Sequence, residues 1–278
     1  MEKEIIKYSY IHGVTIATDV PTVFPSHWHN SAEFSFIIEK GCEFRIADEI
    51  YKPEPGDILL TWPRELHEID HAPEKGYILL QFSSNIIDNN TDLFTAIRFL
   101  NSCHHISSRK DPELSKRLSE HMESLMDTFY SSQYFIETKC KNIIYNILLL
   151  IGEKVMQERR ELIGDENFSD RSWDYIRNAC SYISDHSTDD ISQAEVAGAI
   201  GLSPFYFSKL FKDYTHMTFP AYLASIRVQN AINLLEDKQL SITDCAFAAG
   251  FQSTTTFNKL FRETTGYTPK EFRKLHTT

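Results

Sequence analysis

The sequence predicts a two-domain α+β chain. An amino-terminal antiparallel β-barrel backed by a helical segment is followed by an all-α domain with two helix-turn-helix motifs. Three observations predict it. Short β-prone runs separated by Gly and Pro fill the first 84 or so residues. Helical periodicity then takes over. Near the end, Phe207-Ser208-Lys209-Leu210-Phe211-Lys212 returns fifty residues later as Phe257-Asn258-Lys259-Leu260-Phe261-Arg262.

The predicted strands are 34–38, 42–46, 57–61 and 77–82, with turns signalled by Gly41, Pro53–Gly56, Pro63 and Pro73–Gly76. Closely spaced strands of this kind close into a small barrel or sandwich. Leu114, Leu118, Met122, Leu125, Met126 and Phe129 mark an amphipathic helix over about 112–131. Ile143, Ile144, Ile147, Leu148, Ile151 and Val155 mark a second over about 136–156. The charged stretch beyond it, carrying Gly164, leads into a linker at 161–171 that separates a domain at 1–160 from one at 172–275.

From Trp173 onward the pattern is helical throughout. Ser192 and Glu195 have the spacing of a capping box ahead of a short apolar helix that ends at Gly201. Ser203-Pro204 caps and opens the next helix. A connecting helix over about 219–236 follows, then a short helix through Ala249, Gly250, and a helix capped by Ser253. Helix, glycine turn and second helix with its Phe and Leu on one face is the helix-turn-helix pattern, here twice. The connecting helix is about 27 Å long at 1.5 Å per residue. With the width of the helices at its ends, the two reading helices approach ~34 Å, one turn of DNA.

The net charge of −11 argues at first against nucleic acid. From Ser172 to the end, however, ten Lys and Arg face eleven Asp and Glu, a balance of −1, so −10 sits in the first part. In the last twenty residues Lys259, Arg262, Lys270, Arg273 and Lys274 outnumber Glu263 and Glu271. Five scattered cysteines without a CxxC pair point to reduced thiols rather than a disulfide framework. The charged amino terminus lacks a signal-peptide pattern, and the apolar run Ile143–Ile151 is about half the ~20 residues a bilayer requires. The expectation is a cytoplasmic protein without membrane attachment.

Ser203-Pro204-x-Tyr206-Phe207-Ser208-Lys209-Leu210-Phe211-Lys212 and Ile242-x-x-x-Ala246-x-x-x-Gly250-Phe251 carry a resemblance, extended by Phe257-x-x-x-Phe261-x-x-x-x-Gly266-x-Thr268-Pro269-x-x-Phe272-Arg273. This hundred-residue stretch resembles the AraC/XylS family of transcription regulators. The resemblance implies groove-facing residues Phe205, Ser208 and Lys209 in motif one, and Thr254, Thr255, Thr256 and Lys259 in motif two. Lysines can donate to guanine edges or phosphates, and threonine or phenylalanine can meet a thymine methyl. Lys212 and Arg262, at the far ends of the helices, are placed for phosphates. Arg227 fits two roles equally, phosphate contact or an internal brace of the connecting helix.

In the first domain, His27-Trp28-His29, Glu33, Gly41, Pro55-Gly56-Asp57 and Pro63…His67 are arranged like the two motifs of the cupin barrel. In metal-binding cupins such a His₃Glu set converges on one ion. Here Glu65 and Leu66 stand where that pattern has a glycine before the last histidine. The pattern also looks like the sensor barrels of AraC-type regulators, and this reading is preferred. It makes His27, His29, Glu33, His67 and Tyr77 ligand-binding residues, with no metal or cofactor. Trp28 and Trp62 then offer stacking surfaces for a sugar ring, and Leu79 faces the same ligand.

The function so implied is a sequence-specific transcriptional regulator responding to a small-molecule effector, with a sugar as first candidate, and not an enzyme. The alternative is a metal-dependent cupin enzyme carrying a DNA-binding domain. Expected partners are double-stranded promoter DNA, the effector, RNA polymerase, and a second copy of the chain joined through the two long helices.

Overall fold

The computed structural model describes residues 2–3, 13–131, 134–163, 171–215 and 217–276. Two compact units divide the chain, Met1–Phe168 and Ser169–Thr278. Residues 164–170 of the expected linker lie outside the described residues, while 161–163 are helical and Arg171 opens the next helix.

Among the described residues, the first unit holds ten strands: β1 (Glu2–Lys3), β2 (Val14–Ala17), β3 (Phe24–Trp28), β4 (Ser31–Ile37), β5 (Glu43–Ile46), β6 (Glu49–Tyr51), β7 (Ile58–Thr61), β8 (His67–His71), β9 (Tyr77–Ser83) and β10 (His105–Ile106). They form two five-stranded sheets, ordered β1-β3-β8-β5-β6 and β10-β7-β4-β9-β2. All ladders are antiparallel except β1 on β3.

Strand β4 is buried along its whole length. One face of its sheet carries Phe34, Trp62 and Phe82 in edge-to-face contact. The other points at the opposite sheet, where Ile37, Leu59 and Tyr77 pack with Phe44, Ile46 and Ile69. Because side chains alternate along a strand, Glu33 shares the inward face with Ile37, and Gln81 shares it with Tyr77. In β4 the polar residues Ser31, Glu33 and Ser35 alternate with Ala32, Phe34 and Phe36, yet all of them are buried.

Helices α1 (Asn85–Asp88), α2 (Thr91–Leu100), α3 (Pro112–Phe129) and α4 (Ile136–Ile163) follow, with α2 and α3 packed on α4. Helix α4 continues well past the expected end near residue 156. The charged stretch that reads as the start of a linker is helical surface instead, stitched by i, i+4 contacts of Lys154 with Glu158 and Gln157 with Glu161. Among the described residues, no helix is long and apolar enough to cross a membrane. All five cysteines are buried and unbridged.

The second unit contains α5 (Arg171–Asp185), α6 (Gln193–Ala199), α7 (Pro204–Thr215), α8 (Phe219–Leu235), α9 (Ile242–Ala248), α10 (Thr254–Thr265) and α11 (Pro269–His276). Ser192 and Glu195 form the expected capping box. Ser241 and Asp244 form a second at the start of α9. The fifty-residue repeat extends to turn chemistry. The Thr215 hydroxyl donates to Phe211 O at 2.7 Å, and the Thr265 hydroxyl donates to Phe261 O at 2.8 Å. In each case the amide two residues on donates back to the threonine oxygen at 3.2 Å. Such a bond lets the hydroxyl end the helix and set the turn into the next one.

Gly201 and Gly250 end the first helix of each motif at φ +74° and +94°, a left-handed conformation that penalises any residue with a Cβ. Their surroundings differ. A Cβ at Gly201 would meet nothing within 4 Å, whereas one at Gly250 would lie 2.7 Å from Ser187 O, 2.8 Å from Thr188 Cα and 2.9 Å from Arg227 Nε. Gly201→Ala should therefore cost only the backbone term, ~1–2 kcal/mol. Gly250→Ala should add an overpacking cost of ~1–3 kcal/mol. Urea denaturation of both variants checks this, and equal losses would contradict the packing difference.

Candidate nucleic-acid interface and barrel site

The outward faces of α7 and α10 follow from helical periodicity. In α7, Phe207, Leu210, Phe211 and Tyr214 are buried, so the residues between them must face out. Phe205 is 84% exposed, and Ser208, Lys209 and Lys212 are exposed too. In α10, Phe257 and Phe261 are buried, while Thr255, Thr256, Lys259 and Arg262 are exposed and Thr254 is half-buried. Each helix thus presents hydroxyls and one or two cations on the face away from its core. Glu263 lies 4.0 Å from the Lys259 ammonium, a surface pair of little energetic weight.

Two arginines hold the helices that carry these faces. Arg227 of α8 donates from Nε to Ser187 O and from a terminal nitrogen to Asp189 O, both at 2.7 Å. Asn230, one turn on, donates to the Ser187 hydroxyl at 3.0 Å. Arg227 therefore braces the turn between α5 and α6, and of its two expected roles the internal one is what the geometry displays. Burial lowers its pKa below the ordinary arginine value, partly offset by the charge of Asp190. Arg273 of α11 donates to Leu235 O at 3.0 Å and Leu240 O at 2.8 Å, across the end of α8. It belongs to the scaffold more than to the basic surface suggested by charge counting. The Arg227 brace is one of the two roles the sequence left open, whereas the Arg273 brace is not read from it, because a surface cation and a carbonyl-capping arginine look alike until the partner carbonyls are placed.

In the first unit, His27 and His67 are register partners on β3 and β8. His29 lies in the turn before β4, and Glu33 rises from β4 in the opposite sheet. Glu33 and His67 thus come from facing sheets. The four side chains are 2–7% exposed, and the rings of His27, His29 and His67 lie 4.1–5.6 Å apart between centroids. Glu33 Oε2 lies 3.2 Å from His29 Nε2 and 3.7 Å from His67 Nε2. Gln81, directly across the ladder from Glu33, donates to the same oxygen at 2.8 Å.

Burial alone would push the Glu33 carboxyl up, but hydrogen bonds and charge from His29 and His67 outweigh it and hold the group well below the usual carboxylate range. Gln81 was missed. A lone glutamine in an apolar strand is a weak signal until the register puts it opposite Glu33.

Tyr77 is fully buried in the inter-sheet core, packs edge-on against Phe44, and donates its hydroxyl to Pro21 O at 3.2 Å. Trp62 is also fully buried and donates from Nε1 to Cys103 O at 2.9 Å. It is core and offers no stacking surface, whereas Trp28 is half-buried. An open cleft lies elsewhere on the unit, lined in part by Tyr51, His104, His105, Lys110 and Lys154.

A helical domain with two outward reading faces, preceded by a β domain with a closed polar centre, defines a two-domain DNA-binding transcription regulator. Residues 14–144 match the AraC-like ligand binding domain, and residues 196–275 match the helix-turn-helix domain. The chain belongs to the AraC/XylS family of transcription regulators. It is similar to the regulatory protein PocR of Salmonella typhimurium strain LT2, 39% identical over 99 residues covering 36% of this chain and 33% of PocR. Longer matches are the melibiose operon regulatory protein of Escherichia coli strain K12, 23% identical with 96% and 90% covered, and the activator RhaS of Escherichia fergusonii, 24% identical with 90% and 88% covered. Among solved structures, wild-type ToxT of Vibrio cholerae with bound unsaturated fatty acid is 13% identical, covering 94% of this chain and 93% of ToxT at a TM-score of 0.44. The C-terminal domain of AraT from Geobacillus stearothermophilus is 28% identical, covering 37% of this chain and 87% of that domain at a TM-score of 0.35.

Arg227→Ala should destabilise the protein by about 2 kcal/mol, the scale of one charged hydrogen bond at a half-buried site. Arg227→Lys should not restore it, because an ammonium cannot span two carbonyls as the guanidinium fork does. Thermal melts without DNA check this. Unchanged melts with weakened DNA binding would return Arg227 to the phosphate backbone.

Proposed function

We propose that this chain is a cytoplasmic, homodimeric transcriptional regulator that reads promoter DNA through Phe205, Ser208, Lys209 and Lys212 of α7 and Thr254, Thr255, Thr256, Lys259 and Arg262 of α10. The observation that carries this reading is the repeat of one outward face on two helices joined by α8. That helix has seventeen residues and is about 25 Å long at 1.5 Å per residue, a length suited to placing both faces on one side of a duplex. RNA polymerase is the further partner a promoter-bound regulator would meet. A regulatory rather than enzymatic role is supported by the names of the relatives.

The effector reading places a small molecule at the barrel centre, with His27, His29, Glu33 and His67 as its polar contacts and Tyr77 closing the apolar end of the same face. A sugar is favoured by the full-length likeness to the melibiose operon regulatory protein. Self-association through the α3–α4 segment is supported by exposed Tyr130, Tyr134, Phe135 and Leu149.

Replacing Lys209 or Lys259 by Ala should weaken promoter binding by ~1–3 kcal/mol where the lysine reads a base, and reduce the salt slope by about one where it meets a phosphate. Fluorescence anisotropy over a salt series measures both. A double Ala variant that binds like the parent would remove the groove assignment.

Glu33→Gln and His67→Ala should lock a promoter reporter at one level with or without effector, since a ligand acts only through unequal affinity for two states. DNA affinity of the 169–278 fragment is the control. Variants that keep the full response would remove these side chains from sensing.

A further inference from the structure

The open cleft on the first unit has a volume of about 730 Å³, the size of a small-molecule site. It shares no side chain with the barrel centre. Three parts of the chain wall it. The β5–β6 hairpin contributes Asp48, Glu49 and Tyr51. The stretch between α2 and α3 contributes His104, His105, Lys110 and Asp111, and α4 contributes Lys154 and Glu158. Four carboxylates thus stand against two ammonium groups around one concave surface.

The charges in it pair unevenly. Lys154, largely buried, lies 2.8 Å from Asp111 and 2.9 Å from Glu158, so one cation is shared by two anions. Asp48 and Glu49 are exposed and form no ion pair among the described residues, and Glu49 accepts only the neutral Tyr51 hydroxyl, at 2.7 Å. The two imidazoles add acceptors. His104 Nε2 lies 3.0 Å from a Glu65 oxygen, and His105 Nε2 lies 2.8 Å from an Asp57 oxygen. A carboxylate only accepts, so each Nε2 carries the hydrogen, and in a neutral ring Nδ1 remains an acceptor. Neither Nδ1 has a hydrogen-bond partner among the described residues.

Exposed carboxylates alone are solvated surface. Here they sit in a concave wall with two open imidazole acceptors and an aromatic face. The Tyr51 ring stands 6.5 Å from that of His104 and 6.0 Å from that of His105. Burial, then the bond to Glu49 and the charges of Glu49 and Glu65, push its phenol well above the usual range. Those two charges give the ring a negative surrounding.

We propose that this cleft is a second small-molecule site and that it takes an aliphatic diamine in its ammonium form. An ammonium group only donates hydrogen bonds, which suits a wall rich in acceptors, and the face of Tyr51 attracts a cation. The same balance of charge repels carboxylate and phosphate ligands. Negative charge is left over on two walls, at Asp48 and Glu49 on the hairpin and at Asp111 and Glu158 around Lys154, which favours a ligand with an ammonium at each end. A diamine so held ties the β5–β6 hairpin to α4. The site stands or falls apart from the effector reading of the barrel centre and from DNA binding.

Calorimetric titration of the full-length chain with 1,4-diaminobutane tests this. Physiological salt screens diffuse attraction to a chain of net charge −11. One equivalent should bind, and amide hydrogen exchange should slow in the 46–51 hairpin and around Lys154–Glu158. Glu49→Gln should weaken binding about 2–5-fold and Lys110→Glu should tighten it by a similar factor, the scale of one exposed charge pair. Both positions are exposed, so the fold is kept. Glu74→Gln, the same charge change at an exposed site in the turn before β9, should leave affinity unchanged. Absence of diamine binding overturns the proposal. So does a loss in Glu74→Gln equal to that in Glu49→Gln, which marks diffuse counterion attraction. Uptake of sucrose or succinate in place of the diamine also overturns it, since a neutral or anionic ligand contradicts the charge argument.

Discussion

The guanidinium of Arg227 ties the connecting helix to the turn that begins the first motif. Helix α8 is shared: its first half packs against α7 through Phe219 and Tyr222, and its second half packs against α9 and α10 through Val228, Ala231 and Leu235. A tilt of α8 would therefore move both reading helices at once. Arg227 fixes it against Ser187 and Asp189, and Arg273 closes its far end on Leu235 and Leu240. Gly250 completes the constraint from the second motif, because only a residue without Cβ lets the α9–α10 turn sit against Ser187 and Arg227. The separation between the outward faces of α7 and α10 is thus set by backbone carbonyls and one close approach, independently of the side chains that face out.

How much was legible in the sequence differed between the units, for one physical reason. The second unit is built from local signals: capping boxes spanning four residues, apolar residues at helical spacing, and glycines where the chain must turn left-handed. Ser192, Ser203, Ser253 and Gly250 could therefore be assigned to their caps and turns from neighbours in sequence. The first unit depends on pairing between strands far apart in the chain. Glu33 could be suspected from its pattern, but that it faces His67 across two sheets, with Gln81 opposite it, is a matter of register. Helix α4 shows the converse error. A charged run was read as a break, while i, i+4 pairing makes such a run good helix surface.

Charge is also divided between the units with some logic. The first carries nearly all of the net −11, yet keeps the buried carboxylate of Glu33 beside histidines His29 and His67. The second is close to neutral, with Lys209, Lys212, Lys259 and Arg262 exposed on its two reading helices.

The five buried thiols carry one more consequence. Burial pushes Cys103 and Cys140 up to about 11 and Cys180 up to about 12, and it raises Cys42 as well. Thiolate, the reactive form, is accordingly scarce while the fold is closed. Three of these residues, Cys42, Cys103 and Cys140, lie in the first unit, and Cys180 and Cys245 lie in the second. Each is silent towards an alkylating reagent until its own neighbourhood opens, so the rate at which each is labelled reports the local opening of that region. The chain thus carries intrinsic clocks in both units, each able to time the local opening of its own region.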